Sequence, residues 1–174
     1  MRRVIPGPCP VCSNEIQYEY KTDNIPYFSE ILIMSARCSC GYRFVDVMVL
    51  GEQEPVRYIL EVSHLEDLTA RVIRSSTGTI QIPELEIKVE PGPICEAFIT
   101  NVEGVLVRIE NVVRGVLTWA EGGERQKAEE ILDRIAGCKS GSMPFTLIIE
   151  DPDGNSAIIS PHALREPYEL QDDE

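Results

Sequence analysis

Cys9 and Cys12 sit in a Cys-Pro-Val-Cys turn, Cys38 and Cys40 in a Cys-Ser-Cys-Gly turn, and 25 residues separate the two pairs. Thiolates are strong zinc ligands, and a structural zinc ion takes four of them at the corners of a tetrahedron. Each short turn lets two sulfurs converge on one metal, and an insert of hairpin length brings the second turn back to face the first. The spacing predicts one structural Zn²⁺ held by Cys9, Cys12, Cys38 and Cys40. Loops this short close badly as structural disulfides, and no recognisable secretory signal precedes them. A redox role for Cys9 and Cys12 would need a strand-helix-strand context, whereas their surroundings read as a Pro- and Gly-rich loop. The second pair is one residue shorter than the usual C-x-x-C knuckle. Either its geometry is tighter or one ligand comes from elsewhere, and His64 and His162 are the only imidazoles that could substitute.

The elements that would hold these thiols follow from periodicity. Residues 15–20 alternate with period two, and the apolar Ile31-Leu32-Ile33-Met34 follows Ile25-Pro26-Tyr27-Phe28. Two strands around a turn at Thr22-Asp23-Asn24 account for the insert, and residues 42–49 read as a third strand. Tyr27 and Phe28 are either finger core or a contact edge, because a small finger has few other side chains to bury. The pattern breaks at Gly51-Glu52-Gln53-Glu54-Pro55, which bounds a finger over residues 1–50.

Short β-prone runs follow at 57–62, 71–74 and 79–90. In the last of these, Ile80 and Ile82 share one phase while Leu85, Ile87 and Val89 share the other, with Pro83 at the change. One long strand bent at Pro83 is expected, with Glu84, Glu86, Lys88 and Glu90 facing out. Residues 102–137 switch to helical period. Val105, Ile109, Val112, Val113, Val116 and Leu117 form one stripe; Ala128, Ile131, Leu132, Ile135 and Ala136 form another, closed by Gly137 as C-cap. The Gly122-Gly123 link predicts an antiparallel helical hairpin with Trp119 packed inside it. Residues 144–159 read as a β-hairpin turning at 151–155, and 166–174 as an acidic, disordered tail. The Asp151, Asp153, Asn155 alternation fails as a calcium loop, since neither the glycine nor a final Glu is in place. The sum is a mainly β domain of sandwich or closed-barrel type over residues 51–165, with a helical hairpin at about 102–137.

Charge narrows the partners. Residues 1–44 hold five Lys and Arg against four Asp and Glu, a balance of +1, so the chain total of −13 leaves −14 for residues 45–174. Such a body repels phosphate backbones, and a basic protein surface is the better electrostatic match. No apolar run reaches the ~18 residues of a membrane span. Zinc-bound thiolates together with Cys95 and Cys138 fit a reducing interior, so a cytoplasmic location is expected, although a Cys95–Cys138 disulfide stays possible in a hyperthermophile.

Several of these segments together resemble the ZPR-type zinc-finger family. They are Cys9-Pro10-Val11-Cys12; Ile25-Pro26-Tyr27-Phe28-Ser29-Glu30 running into Ile33-Met34-Ser35; Cys40-Gly41-Tyr42; Glu66-Asp67-Leu68; Arg74-Ser75-Ser76-Thr77 with Ile82-Pro83-Glu84-Leu85; Val102-Glu103-Gly104; and Pro144-Phe145-Thr146 with Asp151-Pro152-Asp153-Gly154-Asn155-Ser156. They keep the family's order over roughly residues 8–162. The resemblance implies a C4 zinc-ribbon-like finger followed by a double-stranded β-helix, jelly-roll-like domain carrying a helical hairpin. Eukaryotic members carry this unit twice, so the chain looks like an archaeal-type, single-unit member. The resemblance further implies binding and assisted folding of translation elongation factor 1-alpha, without catalysis. The expected contact surfaces are the Tyr27/Phe28 edge together with Arg74, Ser75, Thr77, Asp151 and Asn155. The second knuckle departs from the family's C-x-x-C.

Two other classes compete. An enzyme built on the β-domain would need a metal or a nucleophile–base pair, and two histidines without H-x-H or H-x-D spacing supply neither. A zinc-ribbon nucleic-acid binder, a translation or transcription accessory protein, would use Arg2, Arg3, Arg37 and Arg43 as phosphate contacts.

Overall fold

The period-two stretches of the amino-terminal region pair in chain order as β1 (Arg2–Pro8), β2 (Glu15–Ile25), β3 (Ser29–Arg37) and β4 (Arg43–Val49), an antiparallel meander. The computed structural model describes residues 1–25, 29–50, 53–92 and 95–168, which form two units, Met1–Glu52 and Gln53–Glu174.

Two sequence expectations change in the first unit. β1, read as loop because of Pro6, Gly7 and Pro8, is an edge strand in register with β2 from Arg2↔Lys21 to Pro8↔Glu15. An edge tolerates proline because the absent N–H can face away from the ladder. The turn foreseen at Thr22-Asp23-Asn24 is absent: β2 runs through it, with Thr22↔Leu32, Asp23↔Ile31 and Asn24↔Glu30 still paired to β3. Turn propensity yields there to a continuous ladder.

In the second unit, β5 (Val56–Val62), β7 (Thr79–Ile82), β8 (Ile87–Val89), β10 (Phe145–Asp151) and β12 (Leu164–Pro167) make a sheet ordered β12-β5-β10-β7-β8. A second sheet is ordered β11-β6-β9, from β6 (Arg71–Arg74), β9 (Phe98–Asn101) and β11 (Ala157–Ile159). Alternation sends Leu60, Val62, Ile80, Ile82, Phe145, Leu147 and Ile149 from the first sheet into one core with Val72 and Ile158 from the second.

Helix α1 (Val102–Val116) and helix α2 (Gly122–Ser140) complete that core through Val102, Val105, Leu106, Ile109, Ile135 and Cys138. Asn101 caps α1, its side-chain oxygen accepting the Gly104 amide at 2.8 Å. The stripe read from sequence holds for the first half of α1. Beyond it Val112 is 69% exposed, and Trp119, expected inside the hairpin, is 67% exposed because the chain leaves the core before reaching it. α2 continues past Gly137 to Ser140, and Gly141, at φ 74°, is the left-handed cap.

Three β expectations also change. The segment around Pro83 is a hairpin rather than one bent strand: a 3-10 turn at Pro83–Leu85 reverses the chain and β8 pairs back on β7. Glu84 is consequently half-buried, accepting the Thr146 amide and hydroxyl at 2.9 and 2.8 Å. The turn after β10 does not make a hairpin either, since β10 pairs with β5 and β7 while β11 crosses to pair with β6. Finally, Glu166 and Pro167, assigned to the tail, belong to β12; residues 169–174 lie outside the described residues.

Candidate metal centre

Both knuckles are built by backbone hydrogen bonds that fold two thiols inward. In the first, the Cys9 amide donates to the Asn14 carbonyl and the Ser13 amide returns to the Cys9 carbonyl, both at 2.8 Å. In the second, the Cys38 amide donates to the Tyr42 carbonyl at 2.9 Å and the Gly41 amide to the Cys38 carbonyl at 3.1 Å. Gly41 stands at φ 97°, where a side chain would be strained, so glycine is what allows this short loop to close.

The four sulfurs lie within 4.8 Å of one another. Cys9 Sγ is 3.7 Å from Cys40 Sγ, and Cys12 Sγ is 3.5 Å from Cys38 Sγ. A zinc tetrahedron with bonds of about 2.3 Å has edges of about 3.8 Å. The donor set therefore fits one structural zinc ion, and the short C-x-C pair reaches it without help. His64 and His162 lie in the second unit, where the His162 ring sits 3.4 Å from Asp67. Among the described residues no other group of three or more His, Cys, Asp and Glu side chains converges in this way.

Without metal these thiols hold protons unequally. The Cys40 amide, chiefly, lowers Cys38 to about 7, with the neighbouring thiols adding to it against burial. At Cys12 the Asn14 amide pulls down but is outweighed by the Cys38 hydrogen bond, burial and the remaining thiols, leaving it raised to about 12. One thiolate forms first and its neighbours then resist ionising, because like charges this close repel. A dication removes that repulsion and binds the cluster with release of protons. Cys9, Ile16 and Ala36 are the buried residues here, with Tyr18, Tyr42 and Phe44 packed against them. Those aromatics are the part of the site that cysteine spacing did not indicate; the alternation that buries Ile16 and Ala36 also places Tyr18 and Phe44 on the same face.

Of the residues expected on a contact surface, Tyr27 and Phe28 lie outside the described residues. Arg74, Ser75, Asp151 and Asn155 are buried, so the structure makes them internal rather than available to a partner; Thr77 is buried less completely. Period two explains Asp151: it falls in phase with the inward Phe145, Leu147 and Ile149 and is fully buried. Its carboxylate accepts the hydroxyls of Ser75 (2.7 Å), Thr77 (2.7 Å) and Ser156 (2.6 Å) and the Asp153 amide (3.0 Å). The Arg74-Ser75-Ser76-Thr77 and 151–156 motifs thus lock to each other across the two sheets. Gly154, at φ 69°, completes the turn, where a Cβ would collide with the Glu54 carbonyl. Arg74 donates to the Gly78 carbonyl at 2.7 Å and to Cys95 Sγ at 2.8 Å. Cys95 and Cys138 are both free thiols, and Cys138 is part of the apolar core.

Two known domain families match the chain in this order. The ZPR1 zinc-finger domain matches residues 3–55 and the ZPR1 jelly-roll domain residues 66–174. The chain belongs to the ZPR1 family. A ZPR1-like protein of Methanocaldococcus jannaschii is 44% identical over 155 residues, covering 87% of this chain and 78% of its own length. A ZPR1-like protein of Pyrococcus horikoshii is 41% identical over 163 residues, 88% of this chain and 72% of the relative. The zinc finger chaperone zpr1 of Schizosaccharomyces pombe is 32% identical over 153 residues, which is 83% of this chain but 33% of that protein. The single finger and jelly roll found here span about a third of that eukaryotic relative. No helix among the described residues is long and apolar enough to cross a membrane.

Proposed function

We propose that this protein is a cytoplasmic adaptor that binds a translation elongation factor 1-alpha type GTPase and assists its folding, with Cys9, Cys12, Cys38 and Cys40 as the four ligands of one structural zinc ion. The observation that carries the reading is the convergence of those four sulfurs at tetrahedral spacing in a ZPR1 chain, one of whose relatives is named a zinc finger chaperone. The zinc organises the finger and performs no chemistry of its own, because four thiolates leave no open coordination position for substrate. The jelly roll supports binding in the same way: its buried Ser75, Asp151 and Ser156 are spent on one another, and its acidic exterior suits a basic protein surface.

Refolding of the purified GTPase, followed by recovery of nucleotide binding with and without this protein, tests the reading. The protein should raise the yield, and Cys9→Ser should abolish that gain. Equal yields with and without the protein, together with no complex on size-exclusion chromatography, would overturn it.

A further inference from the structure

On one face of the finger sheet two arginines stand opposite each other. Arg37 on β3 and Arg43 on β4 are direct cross-strand partners, and both are exposed. Like charges placed this way destabilise a strand pair, yet among the described residues no carboxylate pairs with either guanidinium. Of the acids in the same phase of β2, Glu19 is 2.6 Å from Arg2 and Asp23 is 2.7 Å from Lys21, while Glu15 is exposed and forms no ion pair with either arginine. Alternation places Ala36, and with it the thiols and their aromatic cover, on the other face.

The same face carries a row running Val4, Glu19, Ser35, Val45 across all four strands. Val4 is 45% exposed and Val45 is 72% exposed. Arg2, Val4, Gln17, Glu19, Ser35 and Arg37 line a shallow concavity there. Unpaired guanidinium groups beside exposed valines offer bidentate carboxylate recognition next to apolar contact.

We infer that this face is the docking surface for an acidic, apolar-containing peptide segment of a protein partner, whose carboxylates pair with Arg37 and Arg43 while its apolar side chains cover Val4 and Val45. The inference rests on the proposed adaptor role and names what the client must present. Local charge selects the occupant: four thiolates on one Zn²⁺ turn the +1 of residues 1–44 into −1, but Arg37 and Arg43 stand together in solvent with no carboxylate paired to either among the described residues, whereas residues 45–174 carry −14. A nucleic-acid strand fits less well. Of the four cations a phosphate-binding finger would use, Arg2 is engaged by Glu19 and Arg3 alternates to the opposite face, leaving two. Strong backbone binding needs several neutralised phosphates.

The test titrates the full-length, zinc-loaded protein into a fluorescein-labelled peptide of alternating Glu and Val, about eight residues long, and into a single-stranded oligonucleotide of equal charge. Wild type should bind the peptide more tightly than the oligonucleotide. Arg37→Gln with Arg43→Gln should weaken peptide binding about tenfold or more, as loss of paired interface charges does. Arg3→Gln, on the other face, should leave it unchanged. Val45→Glu adds repulsion without touching either arginine, so it should weaken binding similarly even if the double variant loses zinc. Tighter binding of the oligonucleotide, or peptide binding indifferent to the double variant and to Val45→Glu, would overturn the inference. The GTPase is tested in parallel. If it binds wild type and the two variants equally well, this surface is wrong and the adaptor reading stands. If it does not bind wild type at all, the adaptor reading falls and the peptide titration alone decides the surface.

Discussion

Around the thiols of the finger the buried cluster is Cys9, Ile16 and Ala36, whereas the jelly-roll unit buries Leu60, Leu106, Leu147, Ile149 and thirteen further side chains in one continuous core. Units below about 40–60 residues seldom bury enough apolar surface to fold unaided. The finger therefore leans on its metal, and the jelly roll on packing. The two regions also treat polar residues differently. The finger presents Arg37 and Arg43 to solvent, while the jelly roll turns its Arg74 and Asp151 inward, Arg74 donating to the Gly78 carbonyl and Asp151 accepting three hydroxyls.

Removing the metal is the strongest way to break this contrast. Apparent binding of structural zinc is worth roughly 10–16 kcal/mol near neutral pH, and that energy is folding energy. Chelation, or Cys12→Ser, should abolish amide-exchange protection across β1 to β4 while leaving β5, β7 and β10 protected, as read by hydrogen-exchange mass spectrometry. Because binding displaces protons from the thiols, zinc affinity should fall as pH is lowered.

The converse cut falls on packing. Leu147→Ala, at a fully buried position opposite Leu60, should cost the jelly roll about 2–5 kcal/mol in denaturant unfolding without changing zinc content. Asp151→Asn leaves an amide that cannot accept three hydroxyls and a backbone N–H together, and should cost roughly 1–3 kcal/mol. Asn101→Ala removes one cap from α1 and should cost about 1 kcal/mol.

The smallest effect is acid sensitivity of the jelly roll. Burial works against the Asp67 charge, but the amides of His64 and Ser63 and the His162 ring outweigh it and hold the carboxyl below its ordinary value. Glu84 is lowered likewise, its burial outweighed by the Thr146 amide and hydroxyl. A depressed folded pKa contributes stability that is complete above the unfolded value, near ~4, and lost as pH falls through the folded value. Urea midpoints should therefore drop below about pH 4, and Asp67→Asn and Glu84→Gln should each flatten that drop.

The zinc cluster was legible because two cysteine pairs with a hairpin insert leave little else to build, and period two found most strands. What failed was long-range. The turn chemistry of 151–155 is that of a hairpin, and nothing local reveals that β11 crosses to the other sheet and pairs with β6. The phase change at Pro83 fits a bulge or a reversal equally; the left-handed Glu86, at φ 55°, makes it a reversal. The polar motifs around Arg74 and Asp151 looked like contact surface because buried carboxylates are rare, and only the assembled sheets supply the three hydroxyls that permit one. Val112 and Trp119 continue a helical apolar stripe past the point where a core exists to receive it.

The central claim is that one zinc ion with four sulfur ligands holds the finger. Zinc quantification combined with X-ray absorption on the purified protein tests it most directly. The account predicts one zinc per chain with a shell of sulfur alone at about 2.3 Å. A metal-free protein whose β1 to β4 amides remain protected, or a shell containing nitrogen or oxygen, would contradict it.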